Sequence, residues 1–241
     1  MDTPRPEYSR PATLAIDIGG SGLKATVLDA AGAMAADRLR VETPRPINPE
    51  ILVEAVVDLA RPLPEYDRVS VGFPGVIRDG VIRTAINLNP KTLPGFDLAG
   101  ALATRLGKPV RVINDADMQG YGAIEGKGIE LVITLGTGMG SALFSSGRLA
   151  PHLELAHHPF HKGRTYEHEL GERARRRFTR RKWNRRVVEA IATLRTLTNF
   201  DHLYIGGGNA KRLEVELPAD VSVVDNAAGV LGGIRLWENE K

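Results

Sequence analysis

The sequence predicts an α/β protein built from two related halves. Two observations carry this. Short apolar runs alternate with helical patterns, the order expected of strands and helices packed in layers. One unit, strand–glycine turn–strand, also occurs twice: residues 14–32 (LAIDIGGSGLKATVLDAAG) and residues 131–147 (LVITLGTGMGSALFSSG).

In the first half, residues 1–11 carry three prolines and read as an irregular arm. Residues 14–18 form a strand, Gly19-Gly20-Ser21-Gly22 a turn, and residues 23–28 the return strand. A polar strand at 37–42 and a proline-rich loop at 43–49 follow. Asn48-Pro49 is a helix start, because Asn caps and Pro tolerates the first helical position. Ile51, Leu52, Ala55, Val56 and Leu59 then recur at helical spacing until Pro62. Residues 68–73 are a strand ending in Pro74-Gly75, and Asp79-Gly80 signals a hairpin turn. A loop at 84–96 contains Asn87 and Asn89. A helix at 98–106 ends at Gly107. A strand at 110–113 delivers Asn114-Asp115 to the start of a small-residue helix, 116–125.

In the second half, a strand opens into Gly136-Thr137-Gly138-Met139-Gly140 and returns through Ser141 to a turn at 145–147. Glu154 to His158 precede a loop to Thr165. Helices are expected at 166–178 and 182–199, the second with Val187, Ile191, Leu194 and Leu197 on one face. A strand at 203–205 runs into Gly206-Gly207-Gly208-Asn209. A strand at 221–224 and a closing helix at 226–236 finish the chain. The expected lobes are 1–113 with 226–241, and 114–225.

Composition narrows the function classes. A chain of 241 residues with 42% hydrophobic content supports one large domain or two small lobes. The absence of cysteine excludes disulfides and Cys-ligated metals. No apolar run has membrane-spanning length and no signal-peptide pattern is present, so a cytoplasmic protein without membrane association is expected. There is no G-x-x-x-x-G-K-[ST] loop and no G-x-G-x-x-G fingerprint. Phosphate binding would therefore use the glycine hairpins. Their glycines permit positive φ and close backbone approach, and successive N–H groups form an anion-binding concavity. Thr137 and Ser141 offer hydroxyl donors.

Asp115 is the foremost candidate for chemistry. Beyond a strand end, where α/β sheets bind ligands, a carboxylate suits a general base that takes a hydroxyl proton during attack on phosphorus. The alternative is that Asp115 or Asp117 caps the helix. Asp17, directly before the first glycines, suits a water-mediated Mg²⁺ site, or only a turn. Lys24 is either a phosphate contact or an exposed strand lysine. Glu154, His157, His158, His161 and Glu167 cluster. Hydrogen bonding to a polyhydroxyl ligand explains Glu154, His157 and Glu167 better than zinc does. Arg173, Arg175, Arg176, Arg177, Arg180, Arg181, Lys182, Arg185 and Arg186 form a run with few internal acids, whose self-repulsion a polyanion would relieve. With stacking aromatics limited to Phe178 and Trp183, nucleic acid is not the expected partner.

Together, Asp17-Ile18-Gly19-Gly20-Ser21-Gly22-Leu23-Lys24, Gly72-Phe73-Pro74-Gly75, Asn114-Asp115-Ala116-Asp117, Leu135-Gly136-Thr137-Gly138-Met139-Gly140-Ser141 and Gly206-Gly207-Gly208 resemble the repressor–open-reading-frame–kinase (ROK) sugar kinases. Within that family the short length, the IDIGGSG and GTGMGSA variants and the segment at 182–186 resemble the polyphosphate-using glucokinases. The resemblance implies a two-lobed, actin-like ATPase (ribonuclease H-like) fold that closes on its substrates, and a homodimer. It implies Asp115 as the base for the 6-hydroxyl of glucose, with Asn87, Asn114, Glu154, His157 and Glu167 on the sugar. Gly19, Gly20, Ser21, Gly22, Lys24, Gly136, Thr137, Gly138 and Gly140 would hold the phosphates of polyphosphate or ATP. Gly207 and Gly208 would close the far end of the donor site, and Mg²⁺ would lie near Asp17. Many members carry a Cys-rich zinc loop where Pro159 to Thr165 stand here, so no structural zinc is expected. Ala156 replaces the family's glycine before the histidine. The alternatives are an ATP-dependent ROK kinase for another hexose such as mannose, and a non-catalytic sugar or polyanion regulator.

Overall fold

The computed structural model describes residues 8–224 and 228–238. The chain divides into two compact units, Met1–Met118 with Val230–Lys241, and Gln119–Gly229. The expected lobe boundary at 113/114 lies just ahead of the first division. Residues 1–7 of the expected arm, and the expected start of the closing helix at 226, lie outside the described residues.

The first unit contains β1 (Thr13–Ile18), β2 (Gly22–Leu28), β3 (Leu39–Glu42) and β4 (Arg68–Phe73). A small hairpin of β5 (Ile77–Arg78) and β6 (Val81–Ile82) precedes β7 (Val110–Asn114). The main sheet runs β3-β2-β1-β4-β7. Its β1–β2 and β2–β3 pairs are antiparallel, and its β1–β4 and β4–β7 pairs parallel. Asp79 (φ 51) and Gly80 (φ 76) make the left-handed turn that the Asp-Gly pair predicts. Helix α1 (Pro49–Ala60) starts where Asn48 accepts from the Ile51 N–H at 2.8 Å. It buries Leu52, Val53, Val56, Leu59 and Ala60, with Ile51 and Ala55 at the margin of that face. Helix α2 (Leu98–Leu106) is capped by Asp97 and ends at left-handed Gly107. Helix α3 (Asp115–Ala123) follows β7 without a break. Leu14, Ile16, Ile18, Val69, Val71 and Phe73 of the sheet share one core with Leu52, Val56, Leu98 and Leu102 of the helices.

The second unit repeats this plan. Strands β8 (Ile129–Leu135), β9 (Met139–Ser145) and β10 (Arg148–Leu149) form the antiparallel part. A hairpin of β11 (Pro159–His161) and β12 (Arg164–Thr165) leads to α4 (Tyr166–Leu170), α5 (Glu172–Arg177) and α6 (Arg180–Thr198). Then β13 (His202–Gly206) and β14 (Val221–Val223) add the parallel part, in the order β10-β9-β8-β13-β14. Strand directions match the first sheet position by position. The chain then returns to the first unit in α7 (Ala228–Arg235), where the Gly233 carbonyl accepts from Ser70 Oγ of that unit's own sheet at 2.6 Å. A Cβ on Gly233 would lie 3.3 Å from Ala15 Cβ, so the small residue permits this approach.

Two expectations are corrected. The single helix at 166–178 is two helices, because Gly171 turns to extended backbone (ψ 171) between them. On α6, Leu197 is 55% exposed. The buried stripe is Trp183, Val187, Ala190, Ile191 and Leu194, starting one turn earlier than expected. Trp183 anchors it by donating its indole N–H to Leu170 O at 2.9 Å.

Glu130 is the second unit's buried anchor, 1% exposed. Its carboxylate accepts from the N–H groups of Glu125, Gly126 and Lys127 at 2.7, 2.8 and 2.9 Å, and from the Tyr204 hydroxyl at 3.1 Å. Burial first, then the bond to Glu130, pushes the Tyr204 phenol up to about 12. Removing a buried acceptor leaves its donors unsatisfied, so Glu130→Ala is expected to lower unfolding free energy by about 3 kcal/mol. Urea denaturation at neutral pH checks this.

Candidate active site

The two glycine turns are built alike. In the first, Gly19 N–H closes onto Gly22 O at 3.0 Å. The Thr43 hydroxyl donates to Gly19 O at 2.6 Å, Arg45 to Gly20 O at 2.9 Å, and Thr43 N–H to Ser21 O at 3.5 Å. In the second, Gly136 N–H closes onto Gly138 O at 3.0 Å. Gly136 O accepts from Glu172 N–H at 2.9 Å and from Asn209 Nδ2 at 3.1 Å, and Thr137 O accepts from Glu172 N–H at 3.3 Å. Among the described residues, the N–H groups of Gly20, Ser21, Thr137 and Gly138 donate to no protein acceptor. Each turn therefore presents donors while its carbonyls are tied back, as anion binding requires.

The glycines serve proximity, not handedness. Gly19, Gly20, Gly22, Gly136 and Gly138 all lie outside the left-handed φ region, contrary to expectation. A Cβ on Gly19 would meet Gly22 O at 2.9 Å, and one on Gly20 would meet Asn87 O at 3.4 Å. Gly136 has nothing within 4 Å on that side. Gly140 is part of β9 and donates to Thr134 Oγ1 at 3.1 Å. Ser141 is buried and donates to Leu153 O at 2.8 Å, so its hydroxyl serves the fold. Gly207 is left-handed (φ 89), and a Cβ there would lie 2.4 Å from Leu135 O, so it packs onto the end of β8. Gly208 has open space beside it.

The other candidates of the first unit gather at the ends of β1 and β7. Asp17 and Lys24 face each other across β1 and β2 and form an ion pair at 2.8 Å, both 36% exposed. Arg40 is next in that cross-strand row, opposite Lys24. Asn87 is exposed beside Gly20. Asn114 is 5% exposed, and its Oδ1 accepts from the N–H groups of Ala116 and Asp117 at 2.8 and 3.2 Å. Its Nδ2 donates to Gly75 O at 3.2 Å. The helix cap is therefore Asn114, not Asp115 or Asp117. Asp115 is half-buried as the first residue of α3, accepting from Ala116 N–H at 2.9 Å. Gly72 makes room for it, since a Cβ there would lie 3.3 Å from Asp115 Cα.

In the second unit the acid–histidine cluster separates. Glu154 accepts from His152 Nε2 at 2.8 Å and lies 3.5 Å from His157 Nε2. The His152 hydrogen bond, against the opposing effect of burial, holds the Glu154 carboxyl below its usual range. His161 belongs elsewhere, 2.8 Å from Arg186. Glu167, in the first turn of α4, lies against the second glycine turn: a Cβ on Gly138 would meet its Oε2 at 2.3 Å. His152, Thr43, Arg45, Glu172 and Asn209 are the residues that sequence reasoning leaves out. Only His152 has a local signal, two residues before Glu154.

The arginine run is partly neutralised, its paired members sharing a few carboxylates, so the expected repulsion is reduced and not removed. Arg175 and Arg176 both pair with Glu172 at 2.7 Å, and Arg180 pairs with Glu214. Arg177 and Arg186 reach Glu169, a carboxylate with 3% side-chain exposure that also takes Arg164 at 2.7 Å. Chiefly through Arg175, the Glu172 carboxyl is held at about 2. Among the described residues, Arg173, Arg181, Lys182 and Arg185 have no acid partner, and all are exposed.

Mg²⁺ keeps most of its water and takes one or two carboxylates plus phosphate oxygens. Asp17, part-exposed beside the donor-rich first turn, fits that requirement. Among the described residues no three His, Asp or Glu side chains converge to hold a metal. No helix among them is long and apolar enough to cross a membrane.

Comparison with known proteins gives the family and the fold. The ROK family model matches residues 13–152. The polyphosphate glucokinase of Mycobacterium tuberculosis (strain ATCC 25618 / H37Rv) is 29% identical over 234 residues, covering 90% of this chain and 88% of that protein. The N-acetylmannosamine kinase of Escherichia coli (strain SE11) is 39% identical over 145 residues, covering 57% and 48%. The crystal structure of inorganic polyphosphate/ATP-glucomannokinase from Arthrobacter sp. strain KM superposes with a TM-score of 0.84 and 32% identity, covering 95% of this chain and all of that one. The chain belongs to the ROK family and has the actin-like ATPase fold, with one mixed five-stranded sheet in each unit.

Proposed function

We propose that the protein transfers a phosphoryl group from inorganic polyphosphate, and also from ATP, to the 6-hydroxyl of glucose. The observation that carries this is the pair of glycine turns with outward N–H groups and tethered carbonyls. Likeness to the polyphosphate glucokinase and to the polyphosphate/ATP-glucomannokinase over nine-tenths of the chain or more supports the donor and the acceptor.

Asp115 takes the proton of the sugar hydroxyl as its oxygen attacks the terminal phosphorus. The bond from that phosphorus to the bridging oxygen breaks, and the shortened chain or ADP leaves. Asn87 in the first unit and Glu154, His157 and Glu167 in the second bind sugar hydroxyls. Asn114 fixes the turn into α3 and so aims Asp115. The Gly19–Gly22 and Gly136–Gly138 turns hold donor phosphates with their N–H groups, Lys24 adds charge, and Gly207-Gly208 borders the donor. Asp17 would hold Mg²⁺ through water, and the ion would supply charge neutralisation for the phosphates. Phosphoryl transfer depends on such positioning and neutralisation more than on covalent help. Arg173, Arg181, Lys182 and Arg185, lacking acid partners, attract the polyanion. A second reading is another hexose such as mannose, since buried Ala156, between Glu154 and His157, stands where the family has glycine and bears on which sugar fits.

Asp115→Asn is expected to lower kcat by about 10²- to 10⁴-fold, the usual size of general-base catalysis, with glucose binding within about threefold of wild type by calorimetry. A variant retaining most of its rate would remove Asp115 from the role of base. With purified protein and Mg²⁺, glucose 6-phosphate should form faster with polyphosphate than with ATP. Charge-removing Arg181→Gln/Arg185→Gln should raise the KM for polyphosphate more than that for ATP. Product from ATP alone would reduce those arginines to a solvated face.

A further inference from the structure

We propose that Thr43 and Arg45 in the first unit, and Asn209 with the start of α5 at Glu172 in the second, are positioning residues for bound phosphate. They act by holding carbonyls away from it. The inference rests on the kinase reading of the two turns and identifies what orients them.

Peptide planarity ties each carbonyl to the next N–H. In a trans peptide the C=O of one residue and the N–H of the next point in opposite directions and move together. The tethered carbonyls are Gly19, Gly20, Gly136 and Thr137. The N–H groups in the same planes are those of Gly20, Ser21, Thr137 and Gly138, the four that donate to no protein acceptor among the described residues. Every free donor is thus the far end of a plane gripped by its carbonyl. Glycine peptides rotate readily, so an ungripped turn would spread its planes over many orientations and lose N–H convergence on binding. With the planes held in advance, an anion meets donors already aligned.

The tethers themselves are braced. Thr43 is 7% exposed and Asn209 6%, so neither side chain wanders. Asn209 N–H also donates to Leu135 O at 2.9 Å, which fixes the backbone from which its amide reaches Gly136. Glu172 offers its N–H from the first turn of α5, and its carboxylate is gripped by Arg175 and Arg176 at 2.7 Å. A carboxyl held at about 2 contributes stability that is complete above its ordinary value of 4.5 and is lost as pH falls through about 2. This brace therefore stays intact at neutral pH.

The test measures binding of tripolyphosphate by calorimetry without sugar, and separately the KM values for phosphate donor and glucose. Thr43→Val keeps the shape and removes the hydroxyl. It is expected to raise the tripolyphosphate Kd and the donor KM about tenfold, the cost of one lost hydrogen bond to a positioned group, with glucose KM within twofold. Asn209→Ala should act in the same sense. Thr43→Ser keeps the donor and should bind as wild type, and exposed Arg45→Met gives the same readout should Thr43→Val fold poorly. Unchanged tripolyphosphate binding in Thr43→Val and Arg45→Met, or parallel loss of glucose and donor affinity, would overturn the inference, as would wild-type protein that binds no tripolyphosphate. Wild-type protein that binds tripolyphosphate through these residues but makes no sugar phosphate would overturn the kinase reading and leave the tethers standing.

Discussion

A backbone turn cannot offer its N–H groups to an anion while its carbonyls are free to face the same way. Satisfying that constraint shapes both units. Each sheet places an antiparallel pair beside parallel strands, so the tight turn between the first two strands emerges at one sheet end. Neighbouring segments then supply carbonyl partners: the loop after β3 in the first unit, and the loop after β13 and the start of α5 in the second. The repeated strand order delivers the same backbone chemistry twice, although the tethering residues of the two units share no sequence pattern.

The second unit depends on buried and half-buried carboxylates to an unusual degree. Glu130 organises the turn before β8, Glu172 the start of α5, and Glu169 gathers Arg164, Arg177 and Arg186 around α4. Such groups are costly to bury unless donors surround them. Here the donors come from several elements at once, so each carboxylate reinforces contacts that the shared apolar core also makes. The β11–β12 hairpin is held in this way, through Arg164 to Glu169 and through His161 to Arg186.

Much of this was legible in the sequence because it is local. Asn48-Pro49, Asp79-Gly80 and Gly107 each specify a cap or turn from their own backbone preferences, and the two glycine units announce the repeat. Asp115 was visible because it follows an apolar strand directly. What escaped is what depends on distant partners. Thr43 and Arg45 act on glycines more than twenty residues earlier. The acids that neutralise Arg180 and Arg186 lie beyond the run or enter it from α4. The break at Gly171 was hidden by helical periodicity on both sides. Glycine stands there because a side chain would crowd Thr137 O, at 2.9 Å from a Cβ. The turn glycines misled in another way: glycine marks both left-handed backbone and close approach, and only coordinates separate the two.

The sorting of the arginine run has a kinetic consequence. Pairing reduces the field of the run without cancelling it, because Arg175 and Arg176 share the one charge of Glu172, and Arg177 and Arg186 share Glu169 with Arg164. The exposed cations at 173, 181, 182 and 185 have no acid partner among the described residues, and the shared pairs add to their charge, so the potential of this surface is positive. At physiological ionic strength that potential extends about 8 Å before salt screens it. A chain of phosphates drifting past would feel it before touching the protein, and a neutral sugar would not. Such a surface would raise how often a polyanion arrives, an effect that would fade in concentrated salt while the shape held by the paired arginines persists.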